Sequence, residues 1–192
     1  MTRDDRGNFV NSEGVATESH KIVVKDARQL LPKNKMSLTR NGFELLENTV
    51  PSYDFLDHQE VITRYYRDCE DIVAEATGGK VWAFDHNVRS AGGLAEKRRV
   101  KGGQDVQGPA HIVHGDYTLR SARDRLTQLT QASSVNDTLR QVVPKGHGLI
   151  PEEAANPALK DGGRFAIINV WRNIEAVPVA THPLALCDGQ SV

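Results

Sequence analysis

The residues best suited to catalytic chemistry are a histidine and an aspartate two positions apart, His114 and Asp116, in the segment AHIVHGDYT. In a strand, residues i and i+2 lie on the same face, about 7 Å apart along the backbone. An imidazole and a carboxylate on one face supply two ligands of the 2-His-1-carboxylate triad, which binds iron and leaves positions open for oxygen and a co-substrate. The alternative is a surface histidine–aspartate pair, because this spacing is common.

The neighbouring histidines form weaker patterns. His111 lies three residues before His114, so a strand would place it on the opposite face, and it is predicted to be structural. Asp85 and His86 are adjacent in the sequence, and in a strand they would face opposite sides and not act on one atom. The sequence contains no HExxH motif, GxSxG motif, phosphate-binding loop or dinucleotide-binding fingerprint.

Composition limits the class of protein. The sequence has 192 residues, 39% of them hydrophobic, and 24 basic against 25 acidic residues, so its formal net charge is -1. This charge gives no electrostatic reason to expect nucleic acid as a partner. No apolar run reaches the roughly 18–20 residues of a membrane span, and the polar N-terminal segment lacks the apolar core of a signal peptide. These features predict a soluble cytoplasmic protein.

Two helices are predicted to support this chemistry. Apolar residues recur at three- and four-residue steps over 58–77, which is typical of a helix with one packed face. Asp57 is placed to cap its start together with Glu60, and Gly78 is placed to end it. A second helix is predicted to begin near Thr118. Its apolar positions are Leu119, Ala122, Leu126 and Leu129.

Strands are predicted in six segments rich in β-branched and aromatic residues. They are 20–28, 42–50, 80–89, 109–118, 164–171 and 177–187. Hairpin-like spacing in the second half disfavours a doubly wound sheet. The predicted fold class is therefore mainly β with packing helices (α+β), with a double-stranded β-helix or jelly-roll core. Residues 1–18 are predicted to be a loose polar leader, and 19–192 a single domain.

Taken in order, five segments resemble one family, and the resemblance covers about residues 20–192. They are FELLENTV, VWAFDHNVR, HIVHGDYT, RFAIINVWR and PLALCDGQSV. The family is that of the non-haem iron hydroxylase/desaturases typified by asaB, which includes the CmcJ-like partner of cephamycin methoxylation. The resemblance implies an oxygenase that depends on iron(II) and 2-oxoglutarate. It also implies O₂ as co-substrate and hydroxylation or desaturation of a small organic molecule of the natural-product type.

The resemblance also implies site residues. His114 and Asp116 match the family's HxD iron ligands. Arg89, in FDHNVR, and Arg172, in NVWR, match family motifs, and each is a candidate to bind a carboxylate of 2-oxoglutarate or substrate, the alternative being a structural salt bridge. Family members continue well beyond PLALCD, where their distal histidine ligand and an arginine for 2-oxoglutarate lie, so this chain is expected to be truncated. Within it, His182 is the candidate third ligand.

Three functions stay open at this point. The first is the oxygenase. The second is a catalytically inactive truncated remnant or interaction subunit, whose incomplete sheet would pair with a partner protein or with a second copy of the chain. The third is a zinc hydrolase using His111, His114, Asp116 and His182. It is disfavoured because one strand cannot easily direct both His111 and His114 inward.

Overall fold

The computed structural model describes residues 2–3, 9–11, 16, 18–29, 36–49, 51–135 and 137–191. Its helices are α1 (Leu38–Asn41), α2 (His58–Glu60), α3 (Tyr66–Thr77), α4 (Ala91–Ala95), α5 (Leu119–Leu129) and α6 (Glu152–Leu159), and a π-helical segment, Val61–Tyr65, joins α2 to α3. Two short strands, β1 (Thr2–Arg3) and β2 (Phe9–Asn11), pair antiparallel. No helix within these ranges is long and apolar enough to cross a bilayer.

The prediction of a mainly β protein with a jelly-roll core is wrong. In the part of the chain that the structure describes, strands are confined to β1 and β2, and the other regular elements are helical. The segments predicted as strands, 20–28, 42–49 (Val50 lies outside the described residues), 80–89, 109–118, 164–171 and 177–187, form none. A high content of β-branched residues favours a strand only where a neighbouring strand completes the hydrogen bonds. Here such pairing is limited to single bridges, as between Arg89 and Gln107.

The helical run over 58–77 is confirmed, with a change of pitch inside it. The Oδ1 atom of Asp57 accepts the N–H groups of the first turn at 3.0 and 3.3 Å, as expected for a cap. Glu60 does not complete a capping box, because its carboxylate accepts the N–H of Asp54 at 3.3 Å. Gly78 ends the run with φ of 69°, in the left-handed region that glycine tolerates.

The second predicted helix is also confirmed and corresponds to α5. The Thr118 hydroxyl accepts the N–H of Ser121 at 3.1 Å, and the Ser121 hydroxyl accepts the N–H of Thr118 at 2.9 Å. This reciprocal capping box fixes where the helix starts. Leu126 and Leu129 are buried, whereas Leu119 is 93% exposed. Leu126 and Leu129 therefore pack into the protein, whereas Leu119, at the start of the same helix, faces solvent.

The chain divides into two compact units. The first unit comprises Met1–Glu13, Ser52–Ala110 and Gly115–Ile174, and the second comprises Gly14–Pro51, His111–His114 and Glu175–Val192. The first unit contains two clusters of buried apolar side chains. They are Leu126, Leu129, Ile150 and Ala155 in one, and Val61, Tyr66 and Leu139 in the other. The predicted leader, 1–18, lies mostly outside the described residues.

A buried asparagine organises the second unit. Asn41, at the end of α1, is 6% exposed, and its amide donates to Oδ1 of Asp188 at 3.0 Å. The carbonyl of Asn41 accepts the N–H of Gly189 at 2.9 Å, and its side-chain oxygen accepts the N–H of Ser37 at 3.1 Å. These hydrogen bonds connect two segments that lie far apart in the sequence.

Candidate functional site

A buried histidine begins the long helical run of the first unit. His58 is the first residue of α2 and is 8% exposed. Its N–H donates to the carbonyl of Lys101 at 3.0 Å, and the ammonium of Lys101 binds Asp57 at 2.9 Å. Both contacts hold the helix start against the loop 99–107. A Cβ at Gly103 would lie 3.3 Å from the Cβ of His58, so the loop approaches closely because this residue is glycine.

A second histidine packs against the first. The ring centres of His58 and His86 are 5.3 Å apart, and the ring planes differ by 26°. Tyr66, the first residue of α3, is 6% exposed and places its hydroxyl 2.8 Å from Nδ1 of His86. Two side chains of the helical run 58–77, His58 and Tyr66, therefore meet His86 within the first unit.

Burial keeps these three groups uncharged at neutral pH. Desolvation, together with the neighbouring His58, lowers the pKa of His86 to about 4, although Asp85 opposes the change. Desolvation also lowers the pKa of His58, although a hydrogen bond with the main chain of Thr138 acts in the opposite direction. Burial raises the pKa of Tyr66. Each imidazole is consequently neutral at pH 7, with one nitrogen that carries a lone pair.

The two histidines line a cleft of about 510 Å³ in the first unit. This volume is within the range of small-molecule sites. The lining includes charged residues, which are Arg99, Lys101, Asp105, Asp137 and Arg140. Ion pairs join Arg99 to Asp105 at 2.5 Å and Asp137 to Arg125 at 2.8 Å. Lys101 pairs with Asp57, and Arg140 donates to the carbonyl of Val135. Since both lining carboxylates are held in ion pairs, the imidazoles are the remaining groups in the lining that can bind a cation or accept a proton.

The structure places the two predicted iron ligands in different units. Asp116 belongs to the first unit, and its carboxylate accepts the amide of Asn169 at 2.7 Å. His114 belongs to the second unit, and its Nδ1 lies 3.5 Å from the carbonyl of Ile112. Because 109–118 is not a strand, alternation does not put both side chains on one face. Their role as metal ligands stays a prediction.

His182, the candidate third ligand, lies beside another histidine of the second unit. Its ring centre is 5.1 Å from that of His111, with the planes at 78°, and both residues are exposed. The backbone of His182 has φ of 53°, a left-handed conformation uncommon outside glycine. Across the described ranges, no group of three or more His, Cys, Asp or Glu residues is arranged to hold a metal ion.

The two candidate carboxylate-binding arginines each contact a neutral group of the first unit. The guanidinium of Arg89 donates to the carbonyl of Gly108 at 3.0 Å. The Nε of Arg172 donates to the hydroxyl of Tyr65 at 3.3 Å. Burial raises the pKa of Tyr65 to about 12, so this phenol is neutral at pH 7. Binding of a carboxylate by either arginine stays a prediction.

His58 and Tyr66 are not among the site residues predicted from the sequence. From the sequence, His86 is considered only together with Asp85, and that pair is rejected as a catalytic one. One local signal is available: His58 lies three residues before Val61 and so extends the apolar stripe of the helix, which indicates a buried titratable group. The meeting of His58 with His86 has no local signal, because the two segments are joined only by tertiary packing.

Comparisons with known proteins relate this chain to oxidative enzymes. It belongs to the family described as "Oxidoreductase/YMDC permease-like domain", whose model matches residues 2–144 and 137–192. This confirms the oxidoreductase part of the expected function. It leaves the finer assignment to the asaB type, and the expected truncation, as predictions.

Two of the three relatives below have names that belong to this class. A protein of Methylophilus leisingeri, named "Uncharacterized protein in dcmA 3'region", is 39% identical over 176 residues, which are 90% of this chain and 80% of the relative. "Oxidoreductase AN1597" of Emericella nidulans is 31% identical over 88% of this chain, and "Hydroxylase/desaturase CTB9" of Cercospora beticola is 26% identical over 83%. The matches span 49% and 44% of these two fungal proteins. No solved structure matches the chain.

Proposed function

We propose that this protein is an oxygenase that uses iron(II), 2-oxoglutarate and O₂ to hydroxylate or desaturate a small organic substrate of the natural-product type. The observation that carries the proposal is the similarity to two fungal proteins named as an oxidoreductase and a hydroxylase/desaturase. The five sequence segments that resemble the asaB-type family support it.

The proposal assigns residues to roles. His114 and Asp116 are the proposed iron ligands, His182 is the candidate third ligand, and Arg89 and Arg172 are candidates for binding carboxylates. The donor types suit iron(II). Their arrangement does not fit the metal, because the described residues include no group of three such donors placed to hold an ion. We therefore derive no reaction step through the iron.

Anaerobic titration of the purified chain with iron(II) and 2-oxoglutarate tests the proposal. The chelated complex has a visible charge-transfer band, and we expect a saturable band that His114→Ala or Asp116→Ala abolishes. Succinate formation in air, measured with the same variants, gives a second readout. A folded chain that shows neither band nor turnover would support the alternative of an inactive interaction subunit.

His147→Ala is the matched control for His114→Ala. Both histidines are exposed, and each places Nδ1 near the carbonyl two residues earlier, at 3.3 Å from Lys145 for His147 and at 3.5 Å for His114. The control removes one surface imidazole without touching a proposed ligand. If His114→Ala keeps the full band, or if His147→Ala loses as much of it, the ligand assignment is wrong.

A further inference from the structure

We propose that His58 and His86 form a binding site for one divalent first-row transition-metal ion in the cleft of the first unit. This site is separate from His114 and Asp116, and the inference does not depend on the proposed oxygenase activity. It follows from the spacing of the rings, the partners of their nitrogens and their burial.

The ring spacing matches two imidazoles on one ion. A metal–nitrogen bond of about 2.1 Å, with about 1.1 Å from the nitrogen to the ring centre, puts each centre about 3.2 Å from the metal. At a tetrahedral angle the two centres would then be about 5.2 Å apart. The observed distance between the centres of His58 and His86 is 5.3 Å. The distance between the two rings therefore suits one ion bound to both imidazoles.

The His86 ring has one nitrogen occupied by a protein partner. The Tyr66 hydroxyl contacts Nδ1 of His86 at 2.8 Å. When Nδ1 of His86 donates to the phenol oxygen, the lone pair of Nε2 is available to a metal. Metal-binding histidines usually anchor their second nitrogen in this way, which fixes the tautomer and the ring orientation.

Burial favours the form that binds metal. A neutral imidazole is the ligand, and desolvation holds the pKa of both rings below the ordinary value, so protons do not compete at pH 7. Two protein ligands leave coordination positions open, and the cleft of about 510 Å³ has room for water or a small chelating molecule to occupy them.

Titration of the full chain with Co²⁺ at pH 7 tests the site through the visible ligand-field absorption of the bound ion. The titration is done in a His114→Ala background, which removes the proposed iron site. There we expect saturable absorption that an added His58→Gln or His86→Gln abolishes and that an added His147→Gln leaves unchanged. Far-UV circular dichroism of each variant checks that it folds. Absorption that is absent in the His114→Ala background, or unchanged when His86→Gln is added to it in a folded chain, would overturn the inference.

Tyr66→Phe keeps the test decisive if removal of a buried histidine prevents folding. This variant retains the packed ring and removes only the hydroxyl on His86, and we expect Co²⁺ to bind roughly 10–100-fold more weakly. Tyr53→Phe is its matched control, because the Tyr53 hydroxyl instead donates to Asp68 at 2.5 Å. Equal affinity in both tyrosine variants would contradict the assigned role of Tyr66 and with it the site.

His114→Ala separates this inference from the proposed function. We expect His114→Ala to bind Co²⁺ at His58 and His86 as the parent chain does, even where it loses the iron–2-oxoglutarate band. If Co²⁺ binding is lost in His114→Ala and retained in the His58 and His86 variants, the metal lies at the HxD motif and the inference is wrong. Failure of the oxygenase titration alone leaves the Co²⁺ result, and so the inference, standing.

Discussion

The two units differ sharply in how they bury apolar side chains. In the described chain, every buried apolar residue belongs to the first unit, and most of these lie in or beside its helices. In the second unit, three consecutive β-branched residues, Ile22, Val23 and Val24, are 67%, 86% and 70% exposed. A helix satisfies its own backbone and needs only one packed face, whereas an extended segment needs a neighbouring strand as well.

The same contrast separates two histidine pairs. The ring centres of His58 and His86 are 5.3 Å apart, and those of His111 and His182 are 5.1 Å apart. In the first pair His58 is buried and His86 is half-buried and contacts the hydroxyl of Tyr66, whereas both members of the second pair are exposed. Nearly equal spacing therefore gives different chemistry, because burial sets the protonation state and a fixed partner sets the ring orientation.

The largest expected effect tests whether the buried apolar side chains of the first unit stabilise the folded protein. Leu126→Ala removes a side chain that is 9% exposed in the cluster between α5 and α6. We expect the free energy of unfolding to fall by about 3 kcal/mol, from lost burial and the cavity that remains. Urea denaturation measures this change.

Leu119→Ala is the control for that measurement. It makes the same substitution in the same helix, at a position that is 93% exposed. We expect a change below about 0.5 kcal/mol. If the two leucine variants lose similar stability, the apolar cluster assigned to the first unit does not form in solution.

The next largest effect is a fall of about 2 kcal/mol in the free energy of unfolding on acidification, and it arises from the pair His58 and His86. The pKa of His86 is 6.5 in a model peptide and about 4 in the folded protein. Between these values the unfolded chain binds more protons than the folded one, so stability is lost as pH falls through this window. Urea denaturation at pH 7 and pH 5 measures the loss, and the lowered pKa of His58 adds to it in the same direction.

A folded His86→Gln variant sharpens the pH comparison. It removes the imidazole whose pKa is lowered to about 4, so the stability difference between pH 7 and pH 5 is expected to shrink by most of the roughly 2 kcal/mol. His111→Gln, in the exposed pair, is the control and is expected to keep the pH dependence of the parent chain. An equal decrease in both variants would show that burial does not distinguish the pairs.

Local signals in the sequence predict the two longest helical runs, over 58–77 and 119–129, but they miss α1, α4 and α6 and predict the strands badly. Asp57 and Thr118 cap helices where expected, and the apolar periodicity over 58–77 corresponds to a packed helical face. The strand predictions rest mainly on side-chain type. The segment 164–171, for example, forms no strand, and its Trp171 is 50% exposed. Whether a β-prone segment pairs is decided by contacts distant in the sequence, which composition does not encode.

The candidate site residues show the same difference between what local sequence signals predict and what depends on the fold. The HxD spacing identifies His114 and Asp116 as residue types for iron, but the inference that they share one face requires a strand that does not form. The meeting of His58 with His86 depends instead on tertiary packing, in which the loop 99–107 docks against the helix start. Residue types are readable from the sequence, whereas their convergence is a property of the fold.

A smaller effect compares helix caps in the two units. Asp57→Ala removes the side chain that accepts two N–H groups at the start of α2, and we expect the free energy of unfolding to fall by about 1 kcal/mol. Ser37 precedes α1 in the second unit and makes no side-chain capping bond. Ser37→Ala is therefore expected to change stability by less than about 0.5 kcal/mol. Equal losses in urea denaturation would mean that the cap of α2 contributes nothing specific.

A pair of valine substitutions is the strictest test of the contrast between the units. Val61 is 2% exposed in the first unit, and Val23 is 86% exposed in the second, so Val→Ala is the same change in opposite surroundings. We expect Val61→Ala to cost about 2 kcal/mol of unfolding free energy, and Val23→Ala to cost less than about 0.5 kcal/mol. If urea denaturation shows that Val23→Ala lowers the free energy of unfolding by more than about 1 kcal/mol, the contrast between the units is wrong. A loss of that size requires that the Val23 side chain is removed from water in the folded protein. The β-prone segment around Val23 would then be covered in the folded protein.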